Sequence, residues 1–234
     1  VNDAPVNTVP GAQAVNEDTS LSITGISVSD VEGDLSTTQL SVDDGVLNVS
    51  LSGSATISGG ANGSSTLTIS GTQADINATL ASLSYQGNLD FNGSDTLTVL
   101  STDSNSATDS DTVSITVNAV NDAPVNTVPG AQAVNEDTAL SITGISVNDV
   151  DDDLSTTQLS VNNGALNVSL AGGASISGGA NDSGSLTLSG TQAQINAALA
   201  TLSYQGNLNF NGSDTLTVLS TDSNSATDSD TVSI

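Results

Sequence analysis

A chain of 234 residues with 26 acidic side chains and no lysine, arginine, histidine or cysteine carries a net charge of −26. That balance excludes whole classes of function: phosphate backbones and anionic bilayers call for cationic partners, disulfides and thiolate metal sites need cysteine, and a serine or threonine nucleophile has no side-chain base to activate it. Each carboxylate must be solvated, hydrogen-bonded or bound to a cation, and only Glu17, Glu32 and Glu136 among the acids are glutamate; aspartate suits turns and oxygen-ligand cation loops.

The opening segment, Val1-Asn-Asp-Ala-Pro-Val-Asn7, returns as Val120-Asn-Asp-Ala-Pro-Val-Asn126, and the offset of 119 holds to Ile234 with 18 substitutions over 115 aligned pairs. The chain is two copies of one module: domains at 1–117 and 125–234, with 118–124 as the linker. Pro5 and Pro124 fix their own φ and push the preceding alanine toward extended backbone, which stiffens the start of each domain. The second copy stops where the first continues Thr116-Val117-Asn118, so a fragment of a longer array is expected. No apolar run reaches membrane-spanning length, and no signal peptide is seen.

Within each copy, short apolar alternations are separated by Gly, Asn, Asp and Ser. Leu21 and Ile23 alternate with polar residues, Gly25 shifts the phase as a bulge would, and Ile26 and Val28 continue the strand. Leu47, Val49 and Leu51 form the next run, followed by Leu67 and Ile69, Leu97 and Val99, and Val113, Ile115 and Val117. One apolar and one Ser/Thr face per run predicts antiparallel strands half covered by a core, and their number and spacing predict a sandwich. The segment Thr72–Leu83 differs: Ile76, Leu80 and Leu83 recur at helical spacing, and Thr191-Gln-Ala-Gln194 in the second copy fits a capping box. A short crossover helix packed into the core is expected there. Tyr85, Phe91, Tyr204 and Phe210, one pair per repeat, read as core residues.

Two loops concentrate charge. Asp30-Val-Glu-Gly-Asp34 and Asp149-Val-Asp-Asp-Asp153 place carboxylates at alternate positions in a turn, where they can converge on one centre that only a cation relieves; the alternative is a solvated acidic turn. Hard oxygen ligands of flexible geometry favour Ca²⁺ over Zn²⁺ or Cu²⁺. The EF-hand loop is excluded, since its sixth and twelfth positions counted from Asp149 are Leu154 and Ser160, and Gly59–Leu67 lacks the aspartate of the Gly-rich calcium nonapeptide. Asp43 and Asp44, which become Asn162 and Asn163, read as turn residues.

Taken in order, Asn-Asp-Ala-Pro at the junction, Asn16-Glu-Asp-Thr19 before the first long run and the Asp-x-Glu/Asp-x-Asp loop resemble cadherin-like repeats. Tyr85-Gln-Gly-Asn-Leu-Asp-Phe-Asn-Gly-Ser-Asp95 and Thr102–Asp109 extend the resemblance over both copies. It is nearest to the cadherin-like extender repeats of large bacterial RTX-type surface adhesins secreted by the type I route. The resemblance implies an all-β chain of two tandem Ig-like, cadherin-like antiparallel sandwiches with calcium at each domain boundary. By position it makes Glu17 the acid at the far end of the first domain and Asp95 the acid before the penultimate strand. Asn118, Asn121 and Asp122 become linker ligands, and Asp149, Asp151, Asp153 and Asp222 the next domain's set. Asp30, Glu32, Asp34, Asp103 and Glu136 hold the equivalent places in the other copy. The junction is one residue shorter than the cadherin Asn-Asp-Asn-x-Pro, and the family's Asp-Arg-Glu motif is missing for want of arginine.

The function expected is a non-catalytic spacer, stiffened by Ca²⁺, which holds a ligand-binding region away from a bacterial cell surface as part of an extracellular, monomeric array. Its partners would be calcium ions and neighbouring repeats, with neither nucleic acid nor membrane insertion. The alternative is a repeated carbohydrate- or protein-binding module. Catalysis would need a two-carboxylate glycosidase site, and four aromatic residues supply no sugar platform.

Overall fold

The computed structural model describes all 234 residues, Val1–Ile234, which divide into two compact units, Val1–Val120 and Asn121–Ile234. The first contains β1 (Val6–Thr8), β2 (Gln13–Asn16), β3 (Leu21–Ser22), β4 (Ser27–Ser29), β5 (Leu35–Ser41), β6 (Gly45–Asn48), β7 (Thr56–Gly60), β8 (Thr66–Ser70), α1 (Gln73–Leu80), β9 (Ser84–Gly87), β10 (Gly93–Asp103) and β11 (Thr108–Asn118). The second repeats the plan with β12 (Val125–Thr127), β13 (Ala139–Ser141), β14 (Ser146–Asn148), β15 (Leu154–Ser160), β16 (Gly164–Asn167), β17 (Ser175–Gly179), β18 (Ser185–Ser189), α2 (Gln192–Leu199), β19 (Ser203–Gly206), β20 (Thr215–Asp222) and β21 (Thr227–Ser233).

Each unit is an all-β, Ig-like sandwich, antiparallel as the alternation predicts except where β2 joins β11 in parallel. In the first, a six-stranded sheet runs β2-β11-β10-β5-β8-β7, opposed by β3-β9-β6, with β1 paired to β4. In the second, the order is β17-β18-β15-β20-β21, with β13-β19-β16 and β12-β14. The inward members of the alternations fill the core: Leu40, Leu47, Leu67, Ile69, Leu97 and Val99 are wholly buried, as are Leu159, Leu166, Leu186, Leu188, Leu216 and Val218. Burying one such aliphatic side chain contributes about 1.5–3 kcal/mol. Tyr85 and Tyr204 lie in the same cores, with Phe91 packed against the first.

The helix forms where the spacing places it. Thr72 caps α1, accepting from Asp75 N, and Thr191 with Gln194 closes the reciprocal capping box on α2. Each helix carries the chain from the large sheet to the small one and buries Ile76 and Leu80, or Ile195 and Leu199.

Two strand readings are corrected. Leu21–Val28 is no single bulged strand: β3 pairs with β9 and β4 with β1, so the segment changes sheets at Gly25, where φ is +85°. A left-handed residue at that point turns the backbone out of one sheet and into another. The run Leu47–Leu51 ends at Asn48, because the side-chain amide of Asn62 accepts from Val49 N (2.9 Å) and donates to Val49 O (2.9 Å). With both ladder groups capped, Leu51 is left half exposed.

Candidate metal centre

The loop after β4 turns tightly, with Gly33 N donating to Asp30 O and Asp152 N to Asp149 O in the second unit. Gly33 and Asp152 both have positive φ (71° and 57°), so the exchange of Gly for Asp follows a backbone need that either residue meets. This turn carries Asp30 and Asp34 toward Asp103, which ends β10 at the hairpin into β11. The carboxylate oxygens of Asp30, Asp34 and Asp103 come within 4.8 Å of one another, and those of Asp149, Asp153 and Asp222 do the same.

Hydrogen bonds account for only part of this charge. Asp103 accepts from the amides of Asn105 and Ala107 (2.8 Å each) and from Asn2 Nδ2 (2.7 Å). Asp34 Oδ2 accepts from Ser104 Oγ (2.6 Å) and Asn105 Nδ2 (2.9 Å), and Asp30 Oδ1 from Asp34 N (3.2 Å). The oxygens left over, Asp30 Oδ2 and Asp34 Oδ1, are buried without a partner, and so are Asp149 Oδ2 and Asp153 Oδ1. Asp30 is 8% exposed and Asp149 2%. Burial pushes the Asp149 carboxyl above the usual carboxylate range, and the charges of Asp153, Asp151 and Asp222 add to the rise, although the Asp151 amide opposes it. The Asn2 side chain, helped by the loop amides, holds Asp103 below that range, and Asn121 does so for Asp222. Burying an unpaired carboxylate is costly, and the donor set suits a hard cation with oxygen ligands.

The sequence matches the profile of the family described as "Protein GAMETE EXPRESSED 2 domain" over residues 18–113 and 140–231. The chain belongs to this family. Both GAMETE EXPRESSED 2 matches contain a complete acid trio. No curated protein matches the sequence. Among solved structures the chain is similar to Drosophila N-cadherin EC1-4 (17% identity, TM-score 0.37, 99% of this chain and 49% of that one) and to human mucin-like protocadherin EC1-2 (16%, 0.36, 98% and 96%). It is also similar to a Bacteroides ovatus glucan-utilisation protein, SGBP-B, in complex with a heptasaccharide (12%, 0.29, 99% and 48%). The chain thus spans about half the length of the N-cadherin fragment.

The remaining candidate ligands of these GAMETE EXPRESSED 2 repeats fall elsewhere. Glu17 is buried at the opposite end of the first unit, where Oε1 accepts from Val120 N (2.5 Å) and its own amide donates to Asn118 O (2.9 Å). The length of β11 separates it from Asp103 by about 33 Å. Asn118 ends β11, exposed, with Nδ2 3.4 Å from Asn16 Oδ1; Glu136 is exposed. Glu32 is exposed and accepts weakly from Asp3 N (3.4 Å), whereas Asp151 accepts from Asp122 N at 2.7 Å. Asn121 donates to Asp222 Oδ2 (2.8 Å).

Asp95 requires a correction. Its Oδ1 accepts from Asp43 N (3.1 Å) and Thr96 N (2.7 Å), and its Oδ2 from Asp44 N (3.1 Å) and Tyr85 OH (2.9 Å). Four donors occupy its lone pairs, so the residue ties the β5–β6 turn to β10 and has no capacity left for a cation. Asp214 repeats the arrangement with Asn162, Asn163, Thr215 and Tyr204. Burial opposes its ionisation, but these donors outweigh that and hold its carboxyl low.

Sequence reasoning passed over Ser104, Asn105 and Asn2, with Ser223 and Asn224 in the second repeat, all of which orient the acids. For the serines and for Asn105 and Asn224 the one signal is position, directly after Asp103 and Asp222; for Asn2 it is the match to Asn121, 119 residues on.

Proposed function

We propose that each repeat binds Ca²⁺ at its acid trio, and that the chain is a non-catalytic, calcium-stabilised spacer from an extracellular surface adhesin of the bacterial RTX type. The observation that carries the metal reading is the pair of buried, unpartnered carboxylate oxygens in each trio, Asp30 Oδ2 with Asp34 Oδ1 and Asp149 Oδ2 with Asp153 Oδ1. Nothing cationic in the sequence can neutralise them, whereas a divalent ion satisfies both at once. Near-identity of the copies favours a spacer over a ligand-binding module, because a spacer gains from length and a recognition domain from distinctiveness. Calcium held at the trio of each repeat would stiffen such an array and hold a terminal adhesive region away from the cell.

Calorimetric melting in excess EDTA and in millimolar CaCl₂ tests the metal reading. A ligand bound only by the native state at 100 times its dissociation constant adds about 2.7 kcal/mol, so the melting temperature rises by many degrees. Equal values in the two buffers remove calcium. Small-angle scattering tests the spacer: a maximum dimension and flexibility unchanged by EDTA would exclude calcium stiffening.

A further inference from the structure

We infer that Asn224, and Asn105 in the first repeat, couples the cation centre to the segment that leads into its repeat; the inference rests on the reading that the acid trio binds calcium. The Asn224 side-chain amide donates to Asp153 Oδ2 (2.8 Å) and to Asn121 Oδ1, so both its protons are committed. Asn121 in turn donates to Asp222 Oδ2 (2.8 Å), and the neighbouring Asp122 N to Asp151 Oδ2 (2.7 Å). An open relay results, Asp153–Asn224–Asn121–Asp222, whose two ends both belong to the trio. The first repeat builds the same relay: Asn105 Nδ2 donates to Asp34 Oδ2 (2.9 Å) and Asn2 Oδ1 (2.6 Å), and Asn2 Nδ2 donates to Asp103 Oδ2 (2.7 Å). It does so although the acids inside the loop differ, Glu32-Gly33 against Asp151-Asp152.

The division of labour within each carboxylate gives the relay its direction. Asp153 leaves Oδ1 buried without a partner and keeps Oδ2 for Asn224 and for Ser223 Oγ (2.6 Å). A cation on Oδ1 fixes the carboxylate plane and therefore the acceptor to which Asn224 is tied. Without a cation, Asp149, Asp153 and Asp222 repel one another, and that acceptor is free to swing. Asn224 is thus a positioning residue: it transmits the order of the centre to Asn121 and Asp122. Outer partners of this kind orient metal ligands, and removing one typically weakens metal affinity about 10- to 100-fold.

The test uses the intact 234-residue chain, CaCl₂ titration calorimetry and hydrogen exchange of the amides in 121–126. In the parent chain, calcium slows exchange of this segment at least about fivefold, the lower end of usual coupling strengths. Asn224→Ala, at enough calcium to fill the centre, leaves the segment exchanging as in EDTA while the β15 and β20 amides stay protected, which shows that the repeat is folded. Asn224→Asp keeps the shape but loses both donors, and gives the same loss. Asn105→Ala loosens residues 2–7 and leaves 121–126 unchanged. Full protection of 121–126 in Asn224→Ala with the centre filled overturns the inference. Calcium uptake by the parent chain without any change in that segment overturns it too, but spares the metal reading. Failure of the parent chain to take up calcium fails the metal reading itself and the coupling with it.

Discussion

Replacing Asp149 by asparagine removes one charge from the second trio while keeping its shape, and the expected consequence depends on the metal. Two carboxylates whose oxygens lie within 4.8 Å repel, at that outer limit, by about 3.5 kcal/mol at an effective dielectric near 20 and by about 0.9 kcal/mol in bulk water. Asp149 is 2% exposed and Asp153 lies at intermediate depth, so relief between those limits, about 1–3 kcal/mol, follows in EDTA. The substituted amide also keeps a side-chain oxygen to accept from Asp151 N, as Asp149 Oδ1 does at 3.1 Å. In calcium the variant forfeits the stabilisation of a filled site, about 2.7 kcal/mol at 100 times the dissociation constant, equivalent to about 10 °C for a domain near this size. Differential scanning calorimetry in both buffers reads the two quantities. The second repeat of Asp149→Asn should melt above the parent in EDTA and gain almost nothing from calcium, while the first repeat keeps its full increment through Asp30. A variant that melts below the parent in EDTA, or one that keeps the calcium increment, would refute the reasoning.

Three further outcomes follow from the same geometry. Asp95→Ala strands three amides and the Tyr85 hydroxyl; urea unfolding should show a loss of about 3 kcal/mol or more, with calcium affinity unchanged, and a loss of calcium binding would return Asp95 to the ligand set. Asp43→Ala should stay within about 0.5 kcal/mol of the parent, since the turn uses its backbone amide and Asn162 serves in its place; a larger change would mean that the Asp43 carboxylate has work of its own. Tyr204, pushed up to about 12 by burial and then by its bond to Asp214 and that residue's charge, ionises at about 10 when unfolded. The fold favours the neutral phenol, so this contribution is whole below pH 10 and lost as pH rises from about 10 to 12; phenolate absorbance of the folded protein appearing already near pH 10 would contradict it.

The sandwich was legible because its determinants are local. Alternation of apolar and Ser/Thr positions in Leu67–Ile69, Leu97–Val99 and Val113–Val117 fixes which face is buried, and helical spacing over Ile76, Leu80 and Leu83 fixes the crossover. The two misread strands failed for a shared reason: the alternation was right, but the backbone's partners lay far off in sequence. At Gly25 the chain leaves one partner for another in the opposite sheet, and at Val49 a side chain 13 residues away replaces the next strand.

For the acids, the sequence by itself determined the chemistry: with no cation anywhere, clustered aspartates in a turn must look to a metal, a donor or water. Which aspartates fall into which case was decided by the tertiary structure. Asp34 and Asp95 are equally plain in the sequence, yet packing presents Asp95 with four donors and leaves an oxygen of Asp34 with none. Asp103 joins Asp30 because β10 and β5 pair in antiparallel register, which brings the end of one strand beside the start of the other. A carboxylate's role depends on what points at it, and that is set largely by contacts 51 to 71 residues apart, beyond the reach of any local pattern.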